Sequence, residues 1–222
     1  MPGTGYCKAE HPGALFCEDF DEADAEQVLR DAETASTSTP TLVSKGAVSG
    51  TSAARFVLGS GAVTNARAYV VAPTTMTRLR IGFDMTIESL EEGDAALHRL
   101  RFLTIARGED AFELRHQCNV EDLTNRCSWT LKEDHGDGSS PRHDFSKLAT
   151  GVPHRIVIES EFRNGGQWSL TIDDRTIFPP LTFASGDDPL TPTTTVRFGL
   201  EVLEGSIGPT STIIDNLLVE SR

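Results

Sequence analysis

The sequence is poor in aromatic and basic side chains, and it has no long apolar segment. Only two tryptophans and two tyrosines occur among its 222 residues, so a site built on stacked rings has little material. No apolar run approaches the ~20 residues that a membrane-spanning helix needs, so no membrane span is expected. Lysine and arginine number 20 against 33 aspartates and glutamates, and the formal charge of −13 argues against nucleic acid as a partner.

The apolar residues, 38% of the chain, come in short runs separated by Gly, Pro, Ser and Thr. Within the runs they recur with a period of two, which is typical of β-strands. Trp168, Leu170 and Ile172, for example, fall on one face of their run. The pattern predicts strands at Ala53–Leu58, Ala66–Val71, Arg78–Glu88, Arg99–Ala106, Ala111–Gln117, Cys127–Lys132, His154–Phe162, Trp168–Ile177, Thr194–Leu203 and Thr212–Glu220.

We expect these strands to form one all-β domain over residues 1–222, a two-sheet antiparallel jelly-roll sandwich. About a dozen short strands with tight turns are characteristic of such folds, and no linker-like segment divides the chain. The sequence Arg-Asn-Gly-Gly at 163–166 predicts a hairpin, because Asn and Gly tolerate positive φ. Residues 21–35, rich in Ala, Glu and Asp, are expected to form one short helix or an acidic loop.

The four cysteines form two close pairs in the sequence, Cys7 with Cys17 and Cys118 with Cys127. Four cysteines allow three connectivities, and the short separations favour two local disulfides. The first disulfide would fasten residues 1–14 to the domain as an N-terminal extension. Because disulfides form in oxidising compartments, the protein is expected to be secreted or extracytoplasmic, in a periplasm or at a cell surface.

Cys118 and Cys127 have a second interpretation, because His116 precedes them closely. Two thiolates, an imidazole and a nearby acid could hold a zinc ion. The spacing lacks the Cys-x-x-Cys or His-x-x-x-His pairs that are typical of zinc sites. A hairpin disulfide explains the same cysteines with fewer assumptions, and we predict the disulfide.

Several short motifs in the chain form one family pattern. They are His-Arg-Ile-Val-Ile-Glu-Ser at 154–160 followed by Trp-Ser-Leu-Thr-Ile-Asp-Asp at 168–174, Val-Arg-Phe-Gly-Leu-Glu-Val at 196–202, Ile-Ile-Asp-Asn-Leu-Leu-Val at 213–219, Glu-Asp-Phe at 18–20 and Ser-Ala-Ala-Arg-Phe at 52–56. Together they resemble the concanavalin A-like lectin and glucanase superfamily, particularly its laminin-G-like bacterial modules. The resemblance spans nearly the whole chain, and it implies the fold far more than an activity.

The same resemblance implies one structural calcium ion. In relatives such as laminarinases, an acidic residue before a Phe in the first strand, a glycine carbonyl after an early turn and an Asp opening the last strand bind this ion. The matching positions here are Asp19, Gly50 and Asp215. Carboxylate and carbonyl oxygens suit this hard cation. The alternative is that the two aspartates only accept hydrogen bonds from backbone amides or an arginine.

A catalytic function finds little support in the sequence. A glycosidase needs two carboxylates at a fixed separation, and the one match to the Glu-x-Asp-x-Glu pattern of hydrolytic relatives, Glu22–Glu26, falls outside the predicted strands. A polysaccharide lyase needs a Tyr or His base, with Arg, Gln or Asn to neutralise a uronate. One predicted strand carries a fragment of that kind, with Arg115 and Gln117 on one face, His116 on the other and Glu113 out of register. We therefore expect a binding module rather than an enzyme.

The predicted function is recognition of a glycan or cell-surface polymer by a monomer outside the cytoplasm. Trp129 and Trp168 alternate with apolar residues and are predicted to lie in the core, so binding would depend on polar side chains. The candidates are Arg99, Arg101, Arg115 and Gln117. Two alternatives stay open: a protein-binding or structural module of an exported assembly, and a divergent polysaccharide-cleaving enzyme, either lyase or glycosidase. The sequence leaves the ligand open.

Overall fold

Alternating apolar and polar residues build two antiparallel sheets that pack face to face. The computed structural model describes residues 6–21, 25–30, 32–34, 40–59, 61–62, 65–73, 78–90, 97–119, 126–163, 165–183, 193–204, 206–207 and 209–221. The two-sheet antiparallel jelly roll expected from the sequence is confirmed. No helix in the described part of the chain is long and apolar enough to cross a membrane.

Within these ranges, strands greatly outnumber helices. The elements in chain order are α1 Tyr6–Glu10, β1 Phe16–Glu18, α2 Ala25–Arg30, β2 Glu33–Thr34, β3 Thr41–Val43, β4 Ala53–Leu58, β5 Gly61–Ala62, β6 Asn65–Pro73, β7 Arg78–Leu90, β8 Leu97–Arg107, β9 Asp110–Asn119, β10 Arg126–Asp134, β11 Arg142–Phe145, β12 Pro153–Glu161, β13 Gly166–Ile172, β14 Arg175–Phe183, β15 Thr193–Glu204, β16 Ser206–Ile207 and β17 Thr210–Ser221.

The last strand lies inside its sheet rather than at an edge. The eight-stranded sheet has the order β14-β13-β12-β7-β17-β4-β3, and β1 also pairs with β17. The seven-stranded sheet has the order β11-β10-β9-β8-β15-β6-β2, and β16 pairs with β5 in a small ribbon. Because β17 lies between β7 and the early strand β4, the eight-stranded sheet cannot be completed before β17 is made.

The core fills the space between the two sheets with aliphatic and aromatic side chains. Trp129 is 0% exposed and Trp168 is 1% exposed, which confirms that both tryptophans are core residues. Phe112 on β9 packs against Trp168 and Phe183 of the opposite sheet, with ring centroids 5.7 and 4.8 Å apart. Such aromatic pairs add about 0.5–1.5 kcal/mol each beyond the area that they bury, so this cluster helps to hold the layers together.

One strand prediction needs correction, and two edge strands were missed. The predicted strand Trp168–Ile177 is two strands, β13 and β14, because Asp173 and Asp174 form a turn with φ of 50° and 61°. Strand β11 and most of β14 were not predicted from the sequence. Both are edge strands, and edge strands carry charges or prolines that break the alternating pattern.

The N-terminal part of the chain contains two short helices. Residues 21–35 were expected to hold one short helix or an acidic loop, and α2 lies there. Helix α1 was not predicted. The structure also contains the two local disulfides: Cys7–Cys17 joins α1 to β1, and Cys118–Cys127 joins directly opposed positions of β9 and β10.

A bulge in β15 depends on Gly199. The register of β15 against β8 shifts between Phe198 and Glu201, and Gly199 has a φ of 123°. A Cβ at this position would lie 2.4 Å from the carbonyl oxygen of Ala66 on β6. Only glycine therefore fits both the backbone conformation and the close approach of the neighbouring strand.

Replacing Gly199 by alanine should lower the free energy of unfolding by roughly 2–4 kcal/mol, through backbone strain and steric overlap. Gly138→Ala is the matched control, because Gly138 also has a positive φ of 83° but has no atom within 4 Å of the added Cβ. It should cost about 1 kcal/mol. Urea denaturation of both variants measures the difference, and equal losses would show that the contact with β6 does not constrain this position.

Candidate functional site

The four polar side chains predicted to bind a ligand lie together on the outer face of the seven-stranded sheet. Arg99 on β8 is directly opposite Gln117 on β9, and Arg101 is directly opposite Arg115. Residues with a period of two along a strand share a face, and the alternate positions, such as Leu114, are buried in the core. The structure thus brings the four together, and whether they bind a ligand stays a prediction.

These arginines belong to a continuous line of charges across the sheet. The line, here called the polar row, consists of Arg67, Glu201, Arg101, Glu113 and Arg115. Arg101 is central: its Nε donates to a Glu201 oxygen at 2.9 Å, and its Nη1 donates to Glu113. Arg67 pairs with Glu201 and Arg115 pairs with Glu113. The row holds one more arginine than glutamate, in a chain whose formal charge is −13.

Two neighbouring bulges bring the row together. The Gly199 bulge of β15 places Glu201 opposite Arg101, and a second register shift in β8 lies between Arg101 and Leu103. Phe102 is the extra residue of that second bulge, and its ring packs on Trp129 in the core with centroids 4.8 Å apart. Bulges commonly re-aim side chains next to functional sites.

Burial makes the end of the row formed by Glu113 and Arg115 electrostatically costly. Arg115 is 8% exposed and Glu113 is 4% exposed, although both lie on the outer face of the sheet. Burial, together with the nearby positive charge of Arg101, lowers the pKa of Arg115 to about 10. The Nε of Arg115 is buried and makes no hydrogen bond within the described part of the chain. Such a buried donor costs about 1–3 kcal/mol, and structures that retain one often do so for function.

A second line of residues runs beside the polar row and includes an exposed aromatic ring. By register, Tyr69 on β6 is opposite Arg197 on β15, which is opposite Thr104 on β8. Tyr69 is 42% exposed and Val71, on the same face, is 49% exposed. Within the described residues, Arg197 has no acidic partner. Thr104 and Arg197 line a small depression on this face, together with members of the polar row.

Sequence reasoning missed part of this face. Tyr69 alternates with the buried Ala68 and Val70, so its outward direction was available from the period of the strand. Arg67 on β6 and Glu201 on β15 come from strands that are distant in the sequence, and the bulge at Gly199 sets the register of Glu201 against Arg101 on β8. No local sequence signal reports that register.

Of the enzyme motifs in the sequence, the lyase-like fragment has its histidine in the core, and the glycosidase motif lies partly outside the described residues. His116 is 0% exposed and packs against the ring of Trp129 at 5.4 Å, so it is a core residue. The sequence pattern placed Glu113 out of register with Arg115. In the structure the two residues share a face and form a salt bridge. The carboxylate motif at Glu22–Glu26 begins outside the described residues, and Glu26 lies exposed on α2.

The three residues matched to a calcium site lie on segments that adjoin β17 of the eight-stranded sheet. Asp215 on β17 accepts hydrogen bonds from the amides of Val48 at 2.7 Å and Ser49 at 3.1 Å, and Gly50 follows directly. Asp19 follows β1, whose pairing with β17 brings this segment to the same place. The carboxylate of Asp19 accepts the amide of Cys7 at 3.2 Å.

The carboxylate and carbonyl oxygens near Asp215 are ligands that suit calcium. Most acceptor positions of the Asp215 carboxylate, however, already accept hydrogen bonds from backbone amides. Asp215 also accepts the Asn216 amide at 2.8 Å, so it uses three of about four acceptor positions. Within the described residues, the one group of three metal-ligand side chains lies elsewhere, around His116. A calcium ion beside Asp215 would therefore take most of its ligands from backbone carbonyls and water.

Burial raises the pKa of Asp215 to about 6, even though its three amide bonds act in the opposite direction. The Asp84 carboxylate, directly opposite on β7, adds to the rise. Burial likewise raises the pKa of Asp84, against the lowering effect of its bonds to Asn216 and Arg155. A divalent cation would relieve both carboxylates of this cost.

Comparison with known proteins shows the fold and no family. No protein-family model and no curated protein sequence matches the chain. Among solved structures, the chain is similar to an endo-β-1,4-glucuronan lyase from the fungus Trichoderma reesei, with 13% identity over 94% of this chain and 96% of that one and a TM-score of 0.62.

Two further solved structures are similar to this chain in fold. The globular domain of T. cruzi calreticulin is 8% identical over 94% of this chain and 88% of that one, with a TM-score of 0.60. An alginate lyase is 13% identical over 93% of each chain, with a TM-score of 0.59. At these identities the likeness establishes the jelly-roll sandwich and leaves the activity to be argued from the site.

Proposed function

We propose that this protein is an extracytoplasmic, monomeric binding module that recognises a glycan on the outer face of its seven-stranded sheet. The observation that carries the proposal is the polar row, with the exposed ring of Tyr69 beside it. The two disulfides support a location of the protein in an oxidising compartment.

The dimensions of the face suit a chain of sugars. Adjacent strands lie about 4.8 Å apart, so a row across β6, β15, β8 and β9 extends roughly 15 Å. Arginine and glutamate side chains offer donors and acceptors to hydroxyl groups, and Tyr69 offers a ring on which the apolar face of a sugar can stack. A mostly polar site with one aromatic contact is consistent with the scarcity of aromatic residues in the sequence.

The similar solved structures support a glycan over a protein partner. Two of the three bear names of lyases that act on polysaccharides, glucuronan and alginate. The excess arginine of the polar row would favour a polymer that carries carboxylates, and so would Arg197, which has no acidic partner among the described residues. The overall charge of −13 would oppose its approach, so affinity should depend on these local contacts rather than on long-range attraction.

A screen against neutral and uronic-acid polysaccharides, by affinity electrophoresis, tests this proposal. We expect retardation by at least one polymer. Tyr69→Ala should weaken binding by roughly fivefold or more, since loss of a stacked ring costs about 1 kcal/mol or more. Arg101→Ala should weaken it further, because it also releases Glu113 and Glu201 from their shared partner.

Arg80→Ala is the matched control for the arginine variant. Arg80 lies on the other sheet, paired with Glu159 and Glu220, so its loss changes the net charge equally without touching the polar row. It should leave binding unchanged. Retardation that is lost equally in Arg80→Ala and Arg101→Ala would contradict the assignment of the face, and no retardation by any polymer would contradict glycan binding itself.

Polysaccharide cleavage is a second candidate, favoured by one observation. Glu113 and Glu201 both contact the guanidinium of Arg101, so two carboxylates lie close together on one face. Catalytic pairs in glycosidases are about 5–10 Å apart. Tyr69, on the same face, offers a phenolic group of the kind that lyases use as a base.

Prolonged incubation with the retained polymer tests cleavage. New reducing ends would indicate hydrolysis or elimination, and absorbance from an unsaturated uronate would indicate elimination alone. If Glu113 or Glu201 is catalytic, replacing either by glutamine should lower the rate by at least ~100-fold. An unchanged polymer would leave recognition as the function.

We further propose a structural calcium ion at Asp19, Gly50 and Asp215. In EDTA, Asp215 should make the fold less stable as pH rises, because its folded-state pKa of about 6 exceeds the usual value of 3.8. The folded protein then binds the proton more tightly, and the resulting stability is complete below about pH 4 and lost towards pH 6.

Calcium should reverse this trend, since it binds the ionised carboxylate. Melting curves in calcium and in EDTA, at pH 5 and pH 7, give the comparison, with magnesium as the control cation. The calcium-dependent rise in Tm should be larger at pH 7 than at pH 5. The same Tm in calcium and EDTA at both pH values would rule the ion out.

A further inference from the structure

One end of the β9–β10 hairpin gathers side chains that the polar row does not use. Cys118 and Cys127 are directly opposed, with Cα atoms 4.0 Å apart, and they form a disulfide. His116 lies two residues along β9 on the same face, towards the core. One His116 ring nitrogen and the two sulfur atoms all lie within 4.8 Å of one another. Two thiolates and an imidazole are donors typical of zinc sites, in which a fourth ligand completes the tetrahedron.

We propose that this hairpin end is a redox-gated binding site for a zinc-class divalent ion, with Cys118, Cys127 and His116 as ligands. In the disulfide form the two sulfurs are bonded to each other, and no thiolate is available. The site would be filled before the disulfide forms, or after a thiol reductant has opened it.

The chemistry balances without further components. Two thiol groups of the reductant supply two electrons and two protons, the S–S bond breaks, and the reductant becomes its own disulfide. With a phosphine as reductant, phosphorus supplies the two electrons and becomes a phosphine oxide, and one water molecule supplies the oxygen and the two protons. Cys118 and Cys127 are then thiols. Binding of the ion replaces their two protons, so metal uptake should release about two protons and strengthen as pH rises.

The surrounding structure keeps the ligands in place after reduction. Strands β9 and β10 are paired from Asp134 with Ala111 to Arg126 with Asn119, so the hydrogen-bonded ladder and not the disulfide sets their register. His116 is held against Trp129 in the core. Because the ligands are preorganised, little ordering is needed on binding, and two of the three, His116 and Cys118, are buried.

Cobalt(II) is a suitable probe, because it accepts the same ligands as zinc and its thiolate complexes absorb light. We expect the chain reduced with a phosphine, which does not bind cobalt strongly, to develop a thiolate-to-cobalt absorption band. The indole of Trp129 lies 5.4 Å from the His116 ring, so its fluorescence should be quenched as the band appears. Zinc should abolish the band, and the oxidised protein should show none.

Paired variants locate the ligands. Cys118→Ser/Cys127→Ser should abolish the cobalt band, whereas Cys7→Ser/Cys17→Ser, which removes the other disulfide, should retain it. His116→Gln should weaken cobalt binding by at least roughly tenfold, since even loss of an outer partner of a ligand costs 10–100-fold. A band of equal strength in Cys118→Ser/Cys127→Ser, or no band in reduced wild type, would overturn the proposal.

Near-ultraviolet circular dichroism distinguishes a failed site from an unfolded chain. The reduced protein should retain the signal of its buried tryptophans, or regain it when zinc is added. A reduced chain that loses this signal and does not recover it with zinc would also overturn the proposal, because the preorganised ladder would then not survive reduction.

Discussion

The apolar contact between the two sheets is the interaction on which the other features depend. Each strand gives alternate side chains to this interface, and aromatic rings such as Phe112 and Trp168 bridge it. The alternation leaves the remaining side chains on the outer faces. Arg101 and Arg115 are thus directed outward because Leu100 and Leu114 are directed inward. The position of the candidate site follows from the packing of the core.

The polar row carries an energetic cost that the core offsets. Arg115 and Glu113 are almost fully buried, although charges exposed to solvent on this face would cost less desolvation free energy. Burial also lowers the pKa of Arg115. Gly199 permits the bulge that brings Glu201 to Arg101, at the entropic cost of a glycine within a strand. A protein selected only for stability would gain from a simpler arrangement, and this is the physical basis for proposing that the face binds a ligand.

The alternation of apolar and polar residues made the interior strands predictable from the sequence. The edge strands lack this alternation and were therefore missed. Strand β4 has the predicted bounds, Ala53–Leu58, because it lies inside a sheet with one face on the core. Strand β14 carries two prolines and β11 is short and charged, as edge strands often are. The turn at Asp173 and Asp174 needs positive φ at both residues, which aspartate tolerates less readily than glycine or asparagine.

The candidate site was predictable only in part, for a related reason. Arg99, Arg101, Arg115 and Gln117 lie on two consecutive strands, so period and hairpin pairing suffice to group them. Glu201, Arg67 and Tyr69 join them through pairings between distant strands and through a bulge that shifts the register. Those pairings are decided by tertiary packing, which a local pattern does not encode.

Hydroxyl-radical footprinting tests most directly whether the face with the polar row is the binding surface. Tyr69 is 42% exposed there, and Val152, 47% exposed beside the other sheet, serves as the internal reference. Oxidation of both residues would be measured by mass spectrometry with each polysaccharide of a neutral and uronic-acid panel. At least one polymer is predicted to protect Tyr69 while leaving Val152 unchanged. Equal oxidation of Tyr69 with every polymer, or protection of Val152 instead, would contradict the account.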